Sequence, residues 1–380
     1  MARTLNEFES EIQPLVRDTT GGTVTTATIQ SSLNRCIKHM IKDHGIYATK
    51  KPASLDLFDS VESYPVPSDF FDVVSLKRDD DNRDFLKTQP SEFPNLGGSI
   101  MSVDSYRNKH ALLVKTSGVA PSSVINSCES VTDNGTWAAE GSTDAVSVTT
   151  DTINEKVGSG AISFGVTVGA SVNNYAAIQN STMTQVDLTD FVDRGTVFCW
   201  VYIPSTTNLT SFTLRFGSDS SNYYSQTVTA QYNGFAFVNG WNRLGFAWSG
   251  STETGTVVDT AIDYLNFRVT YTASYTSQTG FLLDDVRVCN PYRMDLTYYS
   301  THFVVTSAGV TQTYFTAASD ATLLDDADDD VLLYFALADG YWIMREYNDR
   351  ETALTQHKTA LDSLKTRFGS EKKREVSFYR

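Results

Sequence analysis

The sequence predicts an α+β chain: a helical domain with a small β-sheet or hairpin, interrupted by an inserted antiparallel β-sandwich of the jelly-roll type. Three observations lead there. Helical periodicity is confined to the two ends, short strand patterns between Ser/Thr/Asn/Gly turns fill the middle, and 380 residues at 41% apolar content are ample for more than one core. The predicted boundaries are 1–116 for the first part of the helical domain, 117–290 for the sandwich, 291–369 for the second part and 370–380 for a C-terminal tail.

At the N-terminus, Thr4 followed by Glu7 has the form of a capping box, and Leu5, Phe8, Ile12, Leu15 and Val16 share one helical face. A second helix is predicted from Thr26 to about His44, with Ile29, Leu33, Cys36, Ile37, Met40 and Ile41 at core spacing and Gly45 where a left-handed end residue belongs. Strand patterns follow, including Tyr64-Pro-Val-Pro-Ser-Asp-Phe, whose prolines enforce an extended entry to Val73 and Val74. In the middle zone nine strands are predicted, among them 196–203, 211–216, 225–231, 241–248, 264–271 and 280–288. The first and last strands of such a sandwich usually pair, which suits an insertion and brings the regions of Cys128 and Cys289 together as reduced thiols. Beyond it, the acidic run Asp325 to Asp330 announces a long helix, with Leu333, Leu337, Tyr341, Leu354, Leu361 and Phe368 on one face and a break near Gly340 or Asn348.

Lys+Arg 30 against Asp+Glu 45 gives a net charge of −15. That sign disfavours a free-standing duplex-binding protein, whose affinity comes from releasing counterions off phosphates. Six basic against fifteen acidic residues fall in 117–290, so the sandwich carries −9 of the total. Four widely spaced cysteines form neither a disulfide framework nor a zinc signature. The N-terminus has no apolar stretch of signal-peptide type, and Val331 to Met344 is too short to span a bilayer, so a soluble, unexported chain is expected.

Catalytic patterns are scarce, and no enzyme is expected. His39, His44, His110, His302 and His357 lie on unrelated elements; Gly158-Ser-Gly160 lacks the Lys-Ser/Thr of a phosphate loop and reads as a sandwich turn; the Asp325 to Asp330 run reads as helix capping and solvation. Tyr175, Tyr223, Tyr224, Tyr232, Trp241 and Trp248 divide between core filling and sugar stacking. Tyr223, Tyr224 and Trp241 are the stacking candidates.

The order of two helices, Tyr64-Pro-Val-Pro-Ser-Asp-Phe, the paired Tyr298 and Tyr299, and an acidic entry into a long C-terminal helix resembles the head-to-tail adaptor (connector) proteins of tailed bacteriophages. The resemblance covers about Thr4 to Lys115 and Tyr292 to the end. It implies a structural virion protein of the neck, assembled in the host cytoplasm as a homo-oligomeric, dodecameric ring between the portal and a downstream tail protein. DNA would pass through its lumen during packaging and ejection without specific binding, and no membrane would be involved. The tail residues Lys372, Lys373, Arg374, Val376, Phe378 and Tyr379 would dock on the portal. The inserted zone, with Cys128-Glu129, Phe198-Cys-Trp-Val-Tyr-Ile-Pro and Leu283-Asp-Asp-Val-Arg-Val, is similar to jelly rolls of the carbohydrate-binding-module type. That likeness implies a structural calcium held by Glu129 and Asp284 or Asp285, against the plainer reading of solvated strand-end carboxylates. It also supports a second functional reading, a virion-attached glycan-binding protein that aids host adsorption.

Overall fold

The computed structural model describes all residues except 1–2, 19–21, 48, 60, 79–83, 96–98, 107–108, 116–120, 170–173, 326–327 and 378–380, with the backbone alone at 78, 95, 106, 109 and 367–377. The chain forms two compact units. One comprises Met1–Ala53, Pro67–Ser75 and Leu296–Arg380; the other comprises Ser54–Val66 and Leu76–Asp295.

The first unit is built on four helices, α1 (Leu5–Leu15), α2 (Thr26–His44), α3 (Asp330–Met344) and α4 (Tyr347–Ser377). The capping box forms as the sequence requires: Glu7 N–H donates to Thr4 Oγ1 while Thr4 N–H donates to the Glu7 carboxylate. Gly45 closes α2 at φ 60°, a conformation that a Cβ would strain. Leu5, Phe8, Ile12, Leu33, Ile37, Val331 and Leu337 share one core. Gly340 sits inside α3 without breaking it, and its missing side chain makes room for Val16, since a Cβ there would stand 2.8 Å from Val16 Cγ1. The break comes at Arg345 (φ 62°), and α4 then runs to Ser377, past the predicted end near Phe368. The acidic run is not simply solvated: Asp329 is fully buried, with Arg3 3.2 Å away.

The second unit is an antiparallel β-sandwich with an additional small sheet. One face of the sandwich, here the first sheet, orders the strands Gly240–Ala247, Thr196–Ile203, Gln278–Cys289, Ala161–Val166 and Ala145–Asp151, with Ser122–Asn126 paired to the end of Gln278–Cys289. The second sheet orders Thr252–Thr254, Asn222–Val228, Leu209–Asp219, Tyr264–Tyr271, Tyr175–Asn180 and Trp137–Ala139. Alternation along each strand sends Phe212, Leu214, Phe216, Phe267, Val269, Val197, Val201 and Leu283 into a common core. First and last strands do pair, as an insertion needs. Cys128, however, faces Cys199 in the interior, and all four cysteines are free and buried.

These observations correct the predicted fold class and family. Strands account for 41% of the structure and helices for 22%. A β-sandwich dominates the molecule, and it is not a helical adaptor carrying a small sheet and an insert. The unit holding the sandwich also takes in Ser54–Val66 and Leu76 onward, wider than 117–290. Tyr64, the centre of the motif most suggestive of an adaptor, is a buried side chain whose hydroxyl donates to Val61 O at 2.7 Å and accepts from Phe58 N–H. That motif closes a local turn. With the resemblance overturned, the ring, the portal, the tail partner and the virion neck lose the support it gave them. Of the tail residues, Lys372, Lys373, Arg374 and Val376 lie on the α4 backbone, while Phe378 and Tyr379 lie outside the described residues.

Candidate functional site on the outer face of the second sheet

The register of the second sheet places its outward side chains in rows. Arg215 pairs opposite Ser225 on one side and Asn266 on the other, and Asn266 pairs opposite Gln179. One step along, Thr213 stands between Thr227 and Arg268, with the two threonine hydroxyls 2.8 Å apart. Beyond these rows, Gly217 separates Tyr223 from Tyr264 at one end, and Tyr175 lies opposite Thr270 at the other. Gly217 is required there, since a Cβ would meet Asn222 O at 2.2 Å and Tyr223 Cβ at 2.8 Å.

The result is a polar floor between tyrosines. Arg268 lies over the Tyr175 ring at 3.9 Å and pairs with Glu140 at 3.4 Å; Arg215 lies over the Tyr223 ring at 4.8 Å. Tyr223 stands 6.3 Å from Tyr264, whose hydroxyl is pushed up in pKa by burial and by Glu140. Tyr175 and Tyr223 are half-buried, so each ring is held by a guanidinium yet still reaches solvent. Asn266 is fully buried and both of its amide atoms lack a partner, as do the Nε atoms of Arg215 and Arg268. Buried polar groups are normally satisfied, so these orphaned atoms set the row apart from an ordinary strand interior.

The three stacking candidates are not brought together. Tyr223 belongs to this face. Its neighbour Tyr224 points the opposite way, packs on Phe216 and Trp248 and donates its hydroxyl to Asp259. Trp241 is on the edge strand of the first sheet, edge-on to Tyr202 at 5.6 Å. Arg215, Asn266 and Arg268 are not among the site residues expected from the sequence, and Tyr175 is among the aromatics weighed there but not among the stacking candidates. The available signal was parity: in Thr213-Leu-Arg215-Phe and Phe267-Arg-Val-Thr-Tyr the charged residues alternate with core residues and must face outward.

The outer face of the first sheet is closed at the corresponding place. Phe198 and Trp200 lie beneath Arg243, and Tyr232 and Phe58 cover Phe198 at 4.9 and 5.1 Å. Arg243 is buried, which lowers its pKa, and has Asp285 at 3.5 Å; Asp285 also receives Arg287 in a two-pronged pair at 2.9 and 2.7 Å. Asp285 is therefore committed to arginines and is unsuited to calcium.

Glu129 and Asp284 behave differently. The glycine turn donates Lys156 N–H and Val157 N–H to Asp284 Oδ2 at 2.8 and 2.9 Å, and Ser159 N–H to Glu129 Oε2 at 2.7 Å. Gly158, at φ 75°, gives the Glu129 carboxylate its room, since a Cβ there would lie 1.6 Å from Oε1. Asp284 Oδ1 is buried without a partner, and burial, with Asp285 and Glu129 adding, pushes the carboxyl up to about 6. Among the described residues no group of three or more His, Cys, Asp or Glu converges in metal-binding geometry, so main-chain carbonyls and water would have to complete any calcium shell at this pair.

No family model and no curated protein matches the sequence. Solved structures similar to it include a family 30 carbohydrate-binding module at 12% identity and TM-score 0.32, covering 45% of this chain and 99% of that one. The corresponding module from a cellulosomal cellulase of Clostridium thermocellum matches at 12% identity and TM-score 0.28, covering 43% and 91%. An exo-β-agarase matches at 9% identity and TM-score 0.31 over 44% of this chain; the chain spans 24% of that enzyme's length.

Proposed function

We propose that the chain binds a polysaccharide on the outer face of the second sheet. The observation that carries this is the pair of half-exposed rings, Tyr175 and Tyr223, each under a guanidinium, at the two ends of a row of outward polar side chains that includes Arg215 and Arg268. Pyranose rings offer apolar C–H faces that rest on aromatic rings, and equatorial hydroxyls that both donate and accept. The half-exposed Arg215 and Arg268 side chains supply donors to those hydroxyls. The strands fix these side chains on a rigid sheet, so little ordering is needed on binding. The reading is of binding without cleavage: glycoside cleavage calls for two opposed carboxylates, and Glu140 on this face is held by Arg268. The test is affinity electrophoresis of the full chain through gels containing a panel of plant and algal polysaccharides. Retardation by at least one, lost in Tyr175→Ala/Tyr223→Ala while the melting temperature holds, supports the reading; no retardation by any rejects it.

The same module is inferred to take a structural calcium between Asp284 Oδ1 and Glu129. What supports this is the orphaned, buried Asp284 oxygen, in a place where two carboxylates crowd each other and a hard cation would relieve both.

A further inference from the structure

We propose that the face selects an anionic glycan, and that Arg215 receives the acidic group, a uronate carboxylate or a sulfate ester, of a sugar in the chain. This rests on the glycan-binding reading above.

The sandwich carries six cations within 117–290. Arg243 and Arg287 share Asp285, Arg268 is paired with Glu140, Lys156 lies over Trp200 at 4.6 Å, and Arg194 is exposed to water. Arg215 is half-buried, and among the described residues no carboxylate stands within 4.0 Å of it; its neighbours are the Tyr223 ring, the Tyr264 hydroxyl and the unpartnered Asn266 amide. A partly desolvated guanidinium without a counter-ion is an unfavourable arrangement unless something supplies the charge. With one acid against two arginines, the rows around Asn266 are locally positive in a module that is otherwise strongly acidic. A neutral sugar would stack on the rings but leave the charge unmatched. A planar carboxylate matches the fork of an arginine in two parallel bonds. Because charge is screened within about 8 Å at physiological salt, Arg215 outweighs the acidic remainder of the module at this spot.

The experiment compares, for the full chain, polygalacturonate with its fully methyl-esterified, uncharged form, and dextran sulfate with dextran. Binding is read by titration calorimetry at low and at 0.5 M salt. The proposal expects one acid polymer to bind at least about tenfold tighter than its neutral counterpart, with the preference erased in Arg215→Gln, partly kept in Arg215→Lys, and weakened by salt. The preferred polymer identifies the acid as carboxylate or sulfate. If neutral polymers bind as well as acidic ones and Arg215→Gln changes neither, the anion proposal is overturned while glycan binding stands. If no polymer binds, both fall. If a single-stranded oligonucleotide outcompetes every polymer through Arg215, the glycan assignment is overturned.

Discussion

On the outer face of the first sheet Arg243 lies over Phe198 and Trp200; on the outer face of the second, Arg215 and Arg268 lie over Tyr223 and Tyr175. The local chemistry is the same, a guanidinium on an aromatic ring, and the surroundings make the difference. Arg243 is neutralised by Asp285 and closed over by Tyr232 and Phe58, so that face is interior in all but topology. Arg215 has no carboxylate among the described residues, and its rings reach solvent. Cation and ring alone therefore do not separate the two faces, and neither do orphaned atoms, since Arg243 Nε and Nη2 are also unpartnered; what differs is the unmatched charge and the open approach.

This contrast can be broken by substitution on either side. The largest effect is expected from Phe198→Ala on the closed face, a fully buried ring with three aromatic or cationic neighbours. Chemical denaturation should show a loss of about 3–5 kcal/mol, and the folded fraction should keep its glycan affinity. Next is the calcium proposed between Asp284 and Glu129. Asp284, raised to about 6 against an ordinary 3.8, contributes stability while protonated that is lost as pH rises from the unfolded value through about 6. Saturating calcium should then raise the melting temperature by about 5 °C at pH 7.5, much less at pH 4.5, and not at all in Asp284→Asn. A calcium effect equal at both pH values would sink that assignment.

A smaller effect separates the open face. Tyr223→Ala should weaken binding by about 1 kcal/mol, roughly fivefold, while stability moves by no more than about 1 kcal/mol. The smallest is Trp241→Ala, where affinity should change less than about twofold, because Trp241 rests on Tyr202 in the first sheet. A large loss there would shift the site to the wrong face.

The elements were largely legible in the sequence. The Thr4–Glu7 box and the Gly45 end fixed α1 and α2, and the strands 196–203 and 264–271 are found at their predicted bounds because alternating apolar residues end abruptly at turns. Their relative weight was not legible. Helices declare themselves through caps and long periodicity, whereas segments such as Ser63–Pro65 are too short to weigh against them, and the chain read as more helical than it is. The site was half legible. Tyr223 stood out by type, but neighbouring Tyr224 could be sent inward only by knowing that its strand pairs with Leu209–Asp219 in a register that puts it opposite Phe216. The row Ser225–Arg215–Asn266–Gln179 joins one hairpin, Leu209–Asp219 with Asn222–Val228, to two strands distant from it in sequence, and a single sequence does not encode that register visibly.

The most direct test of the open face is amide hydrogen exchange of the full chain with and without the polysaccharide that retards it most. The account predicts added protection in 175–179, 211–217, 222–228 and 264–270, with 198–202 and 241–246 unchanged. Protection confined to 198–202 and 241–246 would contradict it.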